Sequence, residues 1–526
     1  MHLLIPGRHH LLTQFQFDYL ERLIQNRLDG EKDVDGNVIT INGEIESIVF
    51  AVTSANHSNT RRNPLPFYLR AISIELFAGK LSVPVFIYGI DDVGDLDNFA
   101  NYTLKRIKHE SEGVLDLTPQ NTLLLCSTAV MEMYIDQGFT VLPAELENKK
   151  QWLHHTTMPW ELVEQIADAG EAWFTSHTIT AKMHSASLAI WKKYALGQKV
   201  QMLFKDHMIS SDGDLTTTRD YNLYVRQMDE IAALKYNDTS LYVQPGRIGD
   251  IGCAVGSWIK MACNDSRMRE SDFYGIEVSR HLFELCRQRK ENGEFHNAFV
   301  FFSQRNAVTG LVFEPESMNT IHTSSLTHEI ESYGSRNDLL QFIQNRYHEL
   351  APGGLWINRD VVGPDNKDQT VHLWLNDTDG SNENILQSFT SRETLSQHLT
   401  GLSTYGRFVR FCNDFLPVKN FPFEMIQTEN KTYAKLSLRM AGEFLSRKDY
   451  CDNWESEMHE TFCYWDFAEW QQHLTAAGLA IHPASTVFRN EWIVNNRWQG
   501  KVALFDASFQ PLEFPVTTMI LIGVKR

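Results

Sequence analysis

Short apolar runs alternate with helical patterns in two separate stretches of this chain. In the first stretch, residues 47–55, 83–91 and 121–128 are apolar or β-branched and are bounded by polar residues. A helical pattern lies between two of these runs, in residues 65–79. Short bounded runs of this kind are typical of buried strands. Their alternation with helices predicts a parallel sheet that is covered by helices.

The same alternation returns at about residue 246 and continues to a last strand pattern at 517–526. Between the two stretches, residues 159–236 have mostly helical patterns. These features predict an α/β protein with two Rossmann-like domains, a helical connector and a helical insertion. The predicted boundaries are 1–150 for the first domain, 151–236 for the connector, and 237–526 for the second domain with its insertion at 365–460.

The composition excludes several classes of function. The 526 residues exceed the size of one core, and the formal net charge of -18 disfavours a broad nucleic-acid surface. The seven cysteines are dispersed without a Cys-x-x-Cys pair, which is typical of reduced thiols in a cytosol and predicts no metal site. No apolar segment approaches the ~20 residues of a membrane span. We therefore expect a cytoplasmic protein without a membrane partner.

The sequence "RIGDIGCAVGSWIK" begins the second stretch, and it has the pattern of a strand, a glycine-containing turn and a helix. The spacing is Asp250-x-Gly252-x-x-x-Gly256, and Glu277 ends the next strand pattern. Glycines at such a turn let the backbone approach a ligand, and a carboxylate at the second strand end can bind ribose hydroxyls. Asp250 would repel a pyrophosphate but suits a ligand with an amino group. This pattern favours S-adenosylmethionine over a dinucleotide.

Residues 246–363 and the last strand resemble the class I S-adenosylmethionine-dependent methyltransferases, which have a seven-stranded sheet. "DIGCAVG" is similar to the first motif of that family, "GIEVS" to the second, and "RNAVTGLVFEPESMNTIHTSSLTHEI" to the third and fourth. The resemblance implies S-adenosyl-L-methionine as the cofactor. It also implies cofactor-binding residues: Asp250, Gly252, Cys253 and Gly256 at the amino-acid end, Glu277 at the ribose, Asn306 and Ala307 at the adenine edge, and Ser324 closing the site.

Two residues near the predicted fourth and fifth strand ends are candidates for catalysis. His328 follows the fourth strand and could act as a general base, or it could pack on the cofactor loop. Asp360 ends the fifth strand beside Arg359, and either could contact the acceptor or form a local salt bridge. Methyl transfer needs little acid–base assistance if the acceptor is held in line with the sulfonium.

Residues 3–145 resemble the nicotinamide-mononucleotide adenylyltransferases and related nucleotidyltransferases. The resemblance implies a nucleotide-binding site formed by Gly7, Arg8, Ser54, Asn63 and Arg70. Thr13 and Gln16, however, stand where that family has two histidines that bind ATP phosphates. A neutral glutamine cannot replace an imidazolium that faces developing phosphate charge. This departure predicts a nucleotide-binding or scaffolding domain without catalytic activity.

The segment after the insertion is rich in aromatic residues. Trp465, Trp470, Trp492 and Trp498 could line an apolar acceptor pocket, or they could be ordinary core residues. We expect the insertion to form a lid over the fourth and fifth strand ends, near His328.

The sequence favours a methyltransferase that uses S-adenosylmethionine and acts on a small-molecule acceptor. A bifunctional nucleotidyltransferase and methyltransferase is one alternative. A non-catalytic binding protein that senses nucleotides is another, although an intact Asp250 and Glu277 argue against it.

Overall fold

A computed structural model describes residues 1–39, 43–93, 98–205, 210–211, 213, 221–428 and 431–526, without the side chains of 221–224. The chain forms two compact units, with the described residues up to 205 in the first and those from 221 onward in the second. The predicted connector, 151–236, is divided between these units, and part of it lies outside the described residues.

The first unit contains a five-stranded parallel sheet in the order β3-β2-β1-β4-β5. A short antiparallel pair, β6 and β7, lies outside this sheet. The strands of this unit are β1 (His2–Gly7), β2 (Ser47–Thr53), β3 (Val85–Ile90), β4 (Thr122–Leu125), β5 (Thr140–Leu142), β6 (Leu146–Asn148) and β7 (Leu153–His154).

Eight α-helices accompany these strands among the described residues of the first unit. They are α1 (Gln14–Gln25), α2 (Phe67–Ala78), α3 (Phe99–Glu110), α4 (Met131–Ile135), α5 (Pro159–Asp168), α6 (His177–Thr180), α7 (Ser185–Lys193) and α8 (Leu196–Lys205). Helices α5, α7 and α8 share one apolar cluster with α2, in which Leu69, Leu162, Trp191 and Val200 are buried. These helices of the predicted connector are therefore part of the first core.

The second unit is built on a sheet in the order β10-β9-β8-β11-β12-β20-β16, and β17 pairs additionally with β20. Strands β8 to β12 are parallel, and β20 is antiparallel to β12. The strands are β8 (Arg247–Ile251), β9 (Asp272–Glu277), β10 (Val300–Gln304), β11 (Met318–Ser324), β12 (Leu350–Asp360), β13 (Thr370–Leu375), β14 (Glu424–Gln427), β15 (Thr432–Ser437), β16 (Leu479–Ile481), β17 (Thr486–Phe488), β18 (Val502–Phe505), β19 (Pro511–Leu512) and β20 (Thr518–Lys525). The predicted α/β class with parallel sheets is confirmed.

The helices of the second unit are α9 (Tyr221–Thr239), α10 (Ser257–Cys263), α11 (Arg280–Glu291), α12 (Thr327–Tyr333), α13 (Arg336–Glu349), α14 (Arg392–Gly401), α15 (Thr404–Asp414), α16 (Leu438–Arg447), α17 (Trp454–Glu457), α18 (Phe467–Ala476) and α19 (Glu491–Ile493). Two separate apolar clusters contain side chains of the large sheet. Met318 and Leu521 belong to one cluster, and Ile357 and Ile522 belong to the other. The sheet therefore contributes to two cores.

Among the described residues, no helix is both long and apolar enough to cross a membrane.

The insertion is not purely helical, so that part of the prediction is wrong. It contains an antiparallel sheet in the order β14-β15-β13-β18-β19, and helices α14, α15 and α16 share a core with it. Strands β18 and β19 come from residues beyond the predicted limit of 460. Burial explains the strands, because β13, "TVHLWL", is an apolar run that is buried at Val371, His372 and Leu373. Residues 365–460 were predicted to be helical throughout, whereas β13, β14 and β15 lie within these limits.

A buried ion pair joins helix α16 to the segment that leaves the insertion. The guanidinium of Arg447 donates to the carboxylate of Glu443 and to the carbonyl of Glu460. The same carboxylate accepts hydrogen bonds from the backbone N–H groups of Phe462 and Cys463, each at 3.0 Å. Because both charged side chains are fully buried, each depends on the other for compensation.

We expect Arg447→Met to lower the free energy of unfolding of the second unit by about 3–5 kcal/mol, because Glu443 would remain buried without its cation. Denaturant titration measures this loss. Lys435→Met is the matched control, since its pair with Glu424 is 43% and 66% exposed. The control should change the free energy by less than about 1 kcal/mol. Equal losses in the two variants would contradict a special role for the buried pair.

Candidate active site

A cleft in the second unit lies where the order of the parallel strands reverses, at β8 and β11. Strands β9 and β10 follow β8 on one side, and β12 follows β11 on the other. Residues at or just after the carboxyl ends of β8, β9, β10 and β11 line the cleft, among them Ile251, Glu277, Arg305 and Ser324. Open α/β sheets bind their ligands at such reversal points. The topology thus places this cleft where a ligand site is expected.

The predicted turn after β8 forms one wall of the cleft. Gly252 has φ of +71°, and a Cβ there would lie 3.0 Å from the side chain of Leu326, so a larger residue is disfavoured on two grounds. The backbone N–H groups of Gly252 and Cys253 donate to the carbonyl of Ile276 at 2.8 and 3.1 Å. Gly256 is not among the lining residues, and its Cα instead faces the rings of Phe295 and Phe302.

Glu277 lines the cleft with a buried carboxylate. It accepts hydrogen bonds from the backbone N–H groups of Ala254 at 2.8 Å, Val278 at 2.8 Å and Ser279 at 2.9 Å. Burial raises its pKa to about 7, although the backbone hydrogen bonds favour the ionised form. Three donors leave room for one or two further hydrogen bonds to the carboxylate oxygens. Such a group can accept from ligand hydroxyls.

Asp250 is buried at the end of β8 and is bound to a histidine that the sequence analysis did not identify. The Nδ1 atom of His322, on β11, lies 2.7 Å from Oδ1 of Asp250. The ring of Trp258 stacks on His322 with a centroid distance of 4.1 Å. The Nε2 atom of His322 is buried and has no hydrogen-bond partner in the described residues. Both His322 and Trp258 line the cleft.

Helix α9 forms a further wall of the cleft, although the sequence analysis assigned it to the connector. Met228, Ala232 and Lys235 recur at helical spacing along one face of α9, and all three line the cleft. Burial lowers the pKa of Lys235 to about 8, and the nearby Arg359 also lowers it. The helical spacing of these three residues could be seen in the sequence. Nothing in the sequence, however, indicated that this face of α9 contacts a ligand.

The residues predicted for the adenine end and the closing position also line the cleft. Asn306 and Ala307 follow β10, and Oδ1 of Asn306 accepts from the backbone N–H of Val308 at 2.9 Å. Ser324 ends β11, and its buried hydroxyl oxygen has no hydrogen-bond partner in the described part of the chain. Seven of the eight predicted cofactor-binding residues therefore meet at one cleft, and their individual roles stay predictions.

His328 and Asp360 lie next to the cleft but do not line it. Asp360 caps helix α12, because its Oδ2 accepts from the backbone N–H and the hydroxyl of Thr327, each at 2.6 Å. Its Oδ1 lies 2.7 Å from Nδ1 of His328, while Nε2 of His328 lies 3.5 Å from Glu460. Burial alone would lower the pKa of His328, but the two carboxylates raise it well above its ordinary value of 6.5. A protonated histidine between two carboxylates favours a structural role over the predicted general base.

The segment after the insertion contacts helix α12, whose Glu329 and Ile330 line the cleft. The backbone N–H of Thr461 donates to the hydroxyl of Ser332 at 2.9 Å. The cleft has no lining residue from the predicted insertion, 365–460, among the described residues. The insertion is therefore connected to the cleft indirectly, through the contact of its following segment with α12.

The four tryptophans do not form one pocket. The rings of Trp465 and Trp470 pack together in the core of the large sheet, with their centroids 4.8 Å apart. Trp498 is buried in the separate core of the insertion, and Trp492 is 60% exposed. The alternative of ordinary core packing thus holds for three of these residues.

In the first unit, Arg70 is buried and binds backbone carbonyls, which leaves little of it for a ligand. It donates to the carbonyls of Arg8 at 3.0 Å, Thr53 at 2.8 Å and Ser54 at 2.8 Å. These contacts bring the ends of β1 and β2 together, beside the last residue of β1, Gly7. Asn63, which precedes Arg70 in the chain, is also buried, and its backbone N–H donates to the hydroxyl of Thr60.

Thr13 and Gln16 form a capping box at the start of α1. The backbone N–H of Gln16 donates to Thr13 Oγ1, and the backbone N–H of Thr13 donates to Gln16 Oε1, each at 3.1 Å. The amide of Gln16 also donates to the buried carboxylate of Glu145 at 3.0 Å. This pair of residues therefore stabilises the helix start rather than presenting positive charge.

No group of three or more histidine, cysteine, aspartate or glutamate residues in the described part of the chain is placed to hold a metal ion.

No family model and no curated protein matches this chain. Solved structures that are similar to part of this chain include the YcgJ protein of Bacillus subtilis, at 13% identity, covering 56% of this chain and 98% of that chain with a TM-score of 0.29. A methyltransferase of Thermotoga maritima, described as a possible histamine N-methyltransferase, is 13% identical over 58% of this chain and 95% of that one, with a TM-score of 0.29. A methyltransferase of Methanosarcina mazei is 13% identical over 55% and 96%, with a TM-score of 0.30. TM-scores this low support no conclusion about this chain, so the chemistry of the cleft follows from its own residues.

We expect the ion triad of Asp360, His328 and Glu460 to give a stability that depends on pH. The pKa of His328 is higher in the folded state, so its contribution is present below pH 6.5 and is lost as pH rises through the folded pKa. The loss of unfolding free energy in His328→Asn should therefore be larger at about pH 6 than at about pH 9. Denaturant titrations at the two pH values measure this difference.

The exposed His296 provides the matched control, and His296→Asn should change the free energy of unfolding by less than about 0.5 kcal/mol. A loss in His328→Asn that is equal at both pH values would contradict the assignment of a charged histidine.

Proposed function

We propose that this chain is a methyltransferase that uses S-adenosylmethionine and acts on a small-molecule acceptor. The observation that carries the proposal is the cleft at the reversal of strand order, where the buried Glu277 carboxylate ends β9 beside the glycine turn after β8. A carboxylate at this position suits the two hydroxyls of a ribose. Asp250, near the end of β8, disfavours a pyrophosphate, which argues against a dinucleotide.

The residues around Glu277 suit the rest of an adenosine. Asn306 offers an amide beside Ala307 after β10, and Val308 and Phe342 supply apolar surface to the same cleft. A purine needs apolar contact on its faces and a few polar groups at its edge. The residues present therefore fit the cofactor that the sequence predicts.

Bound S-adenosylmethionine would supply an electrophilic methyl group on a sulfonium. The role of the protein is then to hold the acceptor in line and to exclude water. Ser324, Ser325 and Glu329 line the cleft at the end of β11 and the start of α12 and could orient an acceptor there. Asp360 and His328 hold the start of α12 in place, so they act on the site as positioning residues.

A non-catalytic binding protein is the rival from a different class. It would bind the cofactor in the cleft but transfer no methyl group to any acceptor. Incubating the protein with S-adenosylmethionine labelled in its methyl group and a small-molecule extract separates the two functions, because only an enzyme transfers the label.

For the first unit we propose a nucleotide-binding or scaffolding role without adenylyltransferase activity. Support comes from the capping box of Thr13 and Gln16 and from the buried Glu145 carboxylate beside it. A carboxylate at that place opposes the binding of ATP phosphates. Arg70, which the resemblance implied as a ligand contact, is engaged with backbone carbonyls.

We expect Glu277→Gln to weaken the binding of S-adenosylhomocysteine by roughly 1.5–3 kcal/mol, because a charge-assisted hydrogen bond is lost. Wild-type affinity should also fall as pH drops below about 7, where Glu277 becomes protonated. Calorimetry across pH measures both effects. Glu291→Gln, at an exposed position on α11, is the control and should bind like the wild type. Equal affinity in wild type and Glu277→Gln would remove Glu277 from the site.

We expect the protein to release no pyrophosphate from ATP and nicotinamide mononucleotide above background, because Gln16 cannot neutralise phosphate charge. A coupled pyrophosphate assay checks this. Turnover that persists after Arg70→Met would point to contaminating enzyme, whereas turnover lost in a correctly folded Arg70→Met protein would show that the first unit is active.

A further inference from the structure

We propose that Lys235 and His322 form the part of the cleft that binds the α-amino-acid end of the cofactor, with Lys235 on the carboxylate and His322 Nε2 on the ammonium group. This inference rests on the proposed function and extends it to two residues that neither the motifs nor the resemblance indicated. It also changes the predicted role of Asp250, which would act on the ligand through His322.

Lys235 is a cation that lines the cleft, and the part of the chain that the structure describes gives it no carboxylate partner. The polar contact of its ammonium group is with the sulfur of Met228, at 4.0 Å. Asp360, Asp250 and Glu329 lie near enough to favour its charge, but no ion pair between its Nζ atom and a carboxylate is present among the described residues. Partial burial of an unpaired charge is unfavourable, and it lowers the pKa of Lys235. A ligand carboxylate in the cleft would provide the missing partner.

Helix α9, which carries Lys235, is itself held in place at two points. Before it, the Asp229 carboxylate is 2.6 Å from Arg289 and accepts from the hydroxyl of Ser257 at 2.5 Å. After it, Asp238 pairs with Arg359, at the end of β12, at 2.8 Å. Both contacts join α9 to elements of the large sheet or its helices. Lys235 is therefore presented by a helix that is fixed on both sides, which limits the entropic cost of binding.

His322 supplies the second group. The Asp250 carboxylate can only accept, so the Nδ1 atom of His322 carries the proton that lies between them. In the neutral ring, Nε2 is then an acceptor. This atom is buried, its residue is 1% exposed and lines the cleft, and it has no partner in the described residues. A ligand ammonium group would satisfy it, and the Asp250 charge behind the ring would strengthen that hydrogen bond.

The balance of charge selects a zwitterion over a phosphate or a simple acid. Two cations line the cleft, Lys235 on α9 and Arg305 beside Asn306 after β10, and the carboxylates of Asp250, Glu277 and Glu329 line the same cleft. A phosphate carries more negative charge than one lysine compensates and would be repelled by the acids. An ammonium and a carboxylate on one carbon meet both kinds of group. The α-amino-acid end of S-adenosylmethionine has this chemistry.

The test compares three ligands that share the adenosine and differ in this end. S-adenosylhomocysteine has the ammonium and the carboxylate, 5′-deoxy-5′-(3-aminopropylthio)adenosine has only the ammonium, and 5′-methylthioadenosine has neither. Calorimetry on the full chain gives the affinity of each ligand for wild type, Lys235→Met and Lys235→Arg. Lys260→Met, which removes an exposed lysine on α10, is the matched control.

We expect Lys235→Met to weaken S-adenosylhomocysteine by about tenfold or more and to leave the other two ligands within about twofold. Lys235→Arg should recover most of the affinity. A second variant, His322→Asn, should weaken both ligands that carry an ammonium and spare 5′-methylthioadenosine.

Equal weakening of all three ligands by Lys235→Met would overturn the inference, because it would show a general effect on the fold. Unchanged binding of S-adenosylhomocysteine in this variant would overturn it as well. If the wild type binds neither S-adenosylhomocysteine nor 5′-methylthioadenosine, the proposed function itself fails. The two failures are thus distinguishable.

Discussion

The Glu277 carboxylate is the constraint on which the cleft depends. It binds the N–H of Ala254 in the turn after β8 and the N–H groups of Val278 and Ser279 after β9. One side chain thereby fixes two loops that come from neighbouring strands. Burial disfavours its charge, and three donors compensate that cost only in part, since its pKa still lies near 7. A carboxylate held in this state is poised to gain from further hydroxyl donors, which is what a ribose offers.

On the other side of the cleft, a chain of buried charges joins the insertion to the site. The Arg447 and Glu443 pair holds the backbone at residues 460–463, and Glu460 faces His328. His328 in turn faces Asp360, which caps α12. Removing any one of these charged side chains would leave its partner buried without an opposite charge, which is unfavourable. The insertion can therefore influence the cleft through α12, although none of its described residues lines the cleft.

Much of the site could be predicted because strand ends carry local signals. The acid and glycine of the turn at Asp250 and Gly252, and the acid at Glu277, follow apolar runs at recognisable spacing. The two residues that complete the amino-acid end could not be found this way. Lys235 lies on a helix that reads as a connector, and His322 lies inside a strand, where a histidine is usually satisfied by the core. Their role depends on which side chains meet in space, and Gly256 shows the converse, because it has the right spacing but faces aromatic rings.

The fold shows the same limit. The parallel strands were predictable from bounded apolar runs, whereas the strands of the insertion pair antiparallel across long separations in sequence, as β13 does with β18.

The most direct test of the account is a crystal structure of the protein with S-adenosylhomocysteine. The account predicts the ribose hydroxyls within hydrogen-bond distance of Glu277 and the amino-acid end between Lys235 and His322. A ligand bound outside this cleft, or bound with its amino-acid end away from α9, would contradict it.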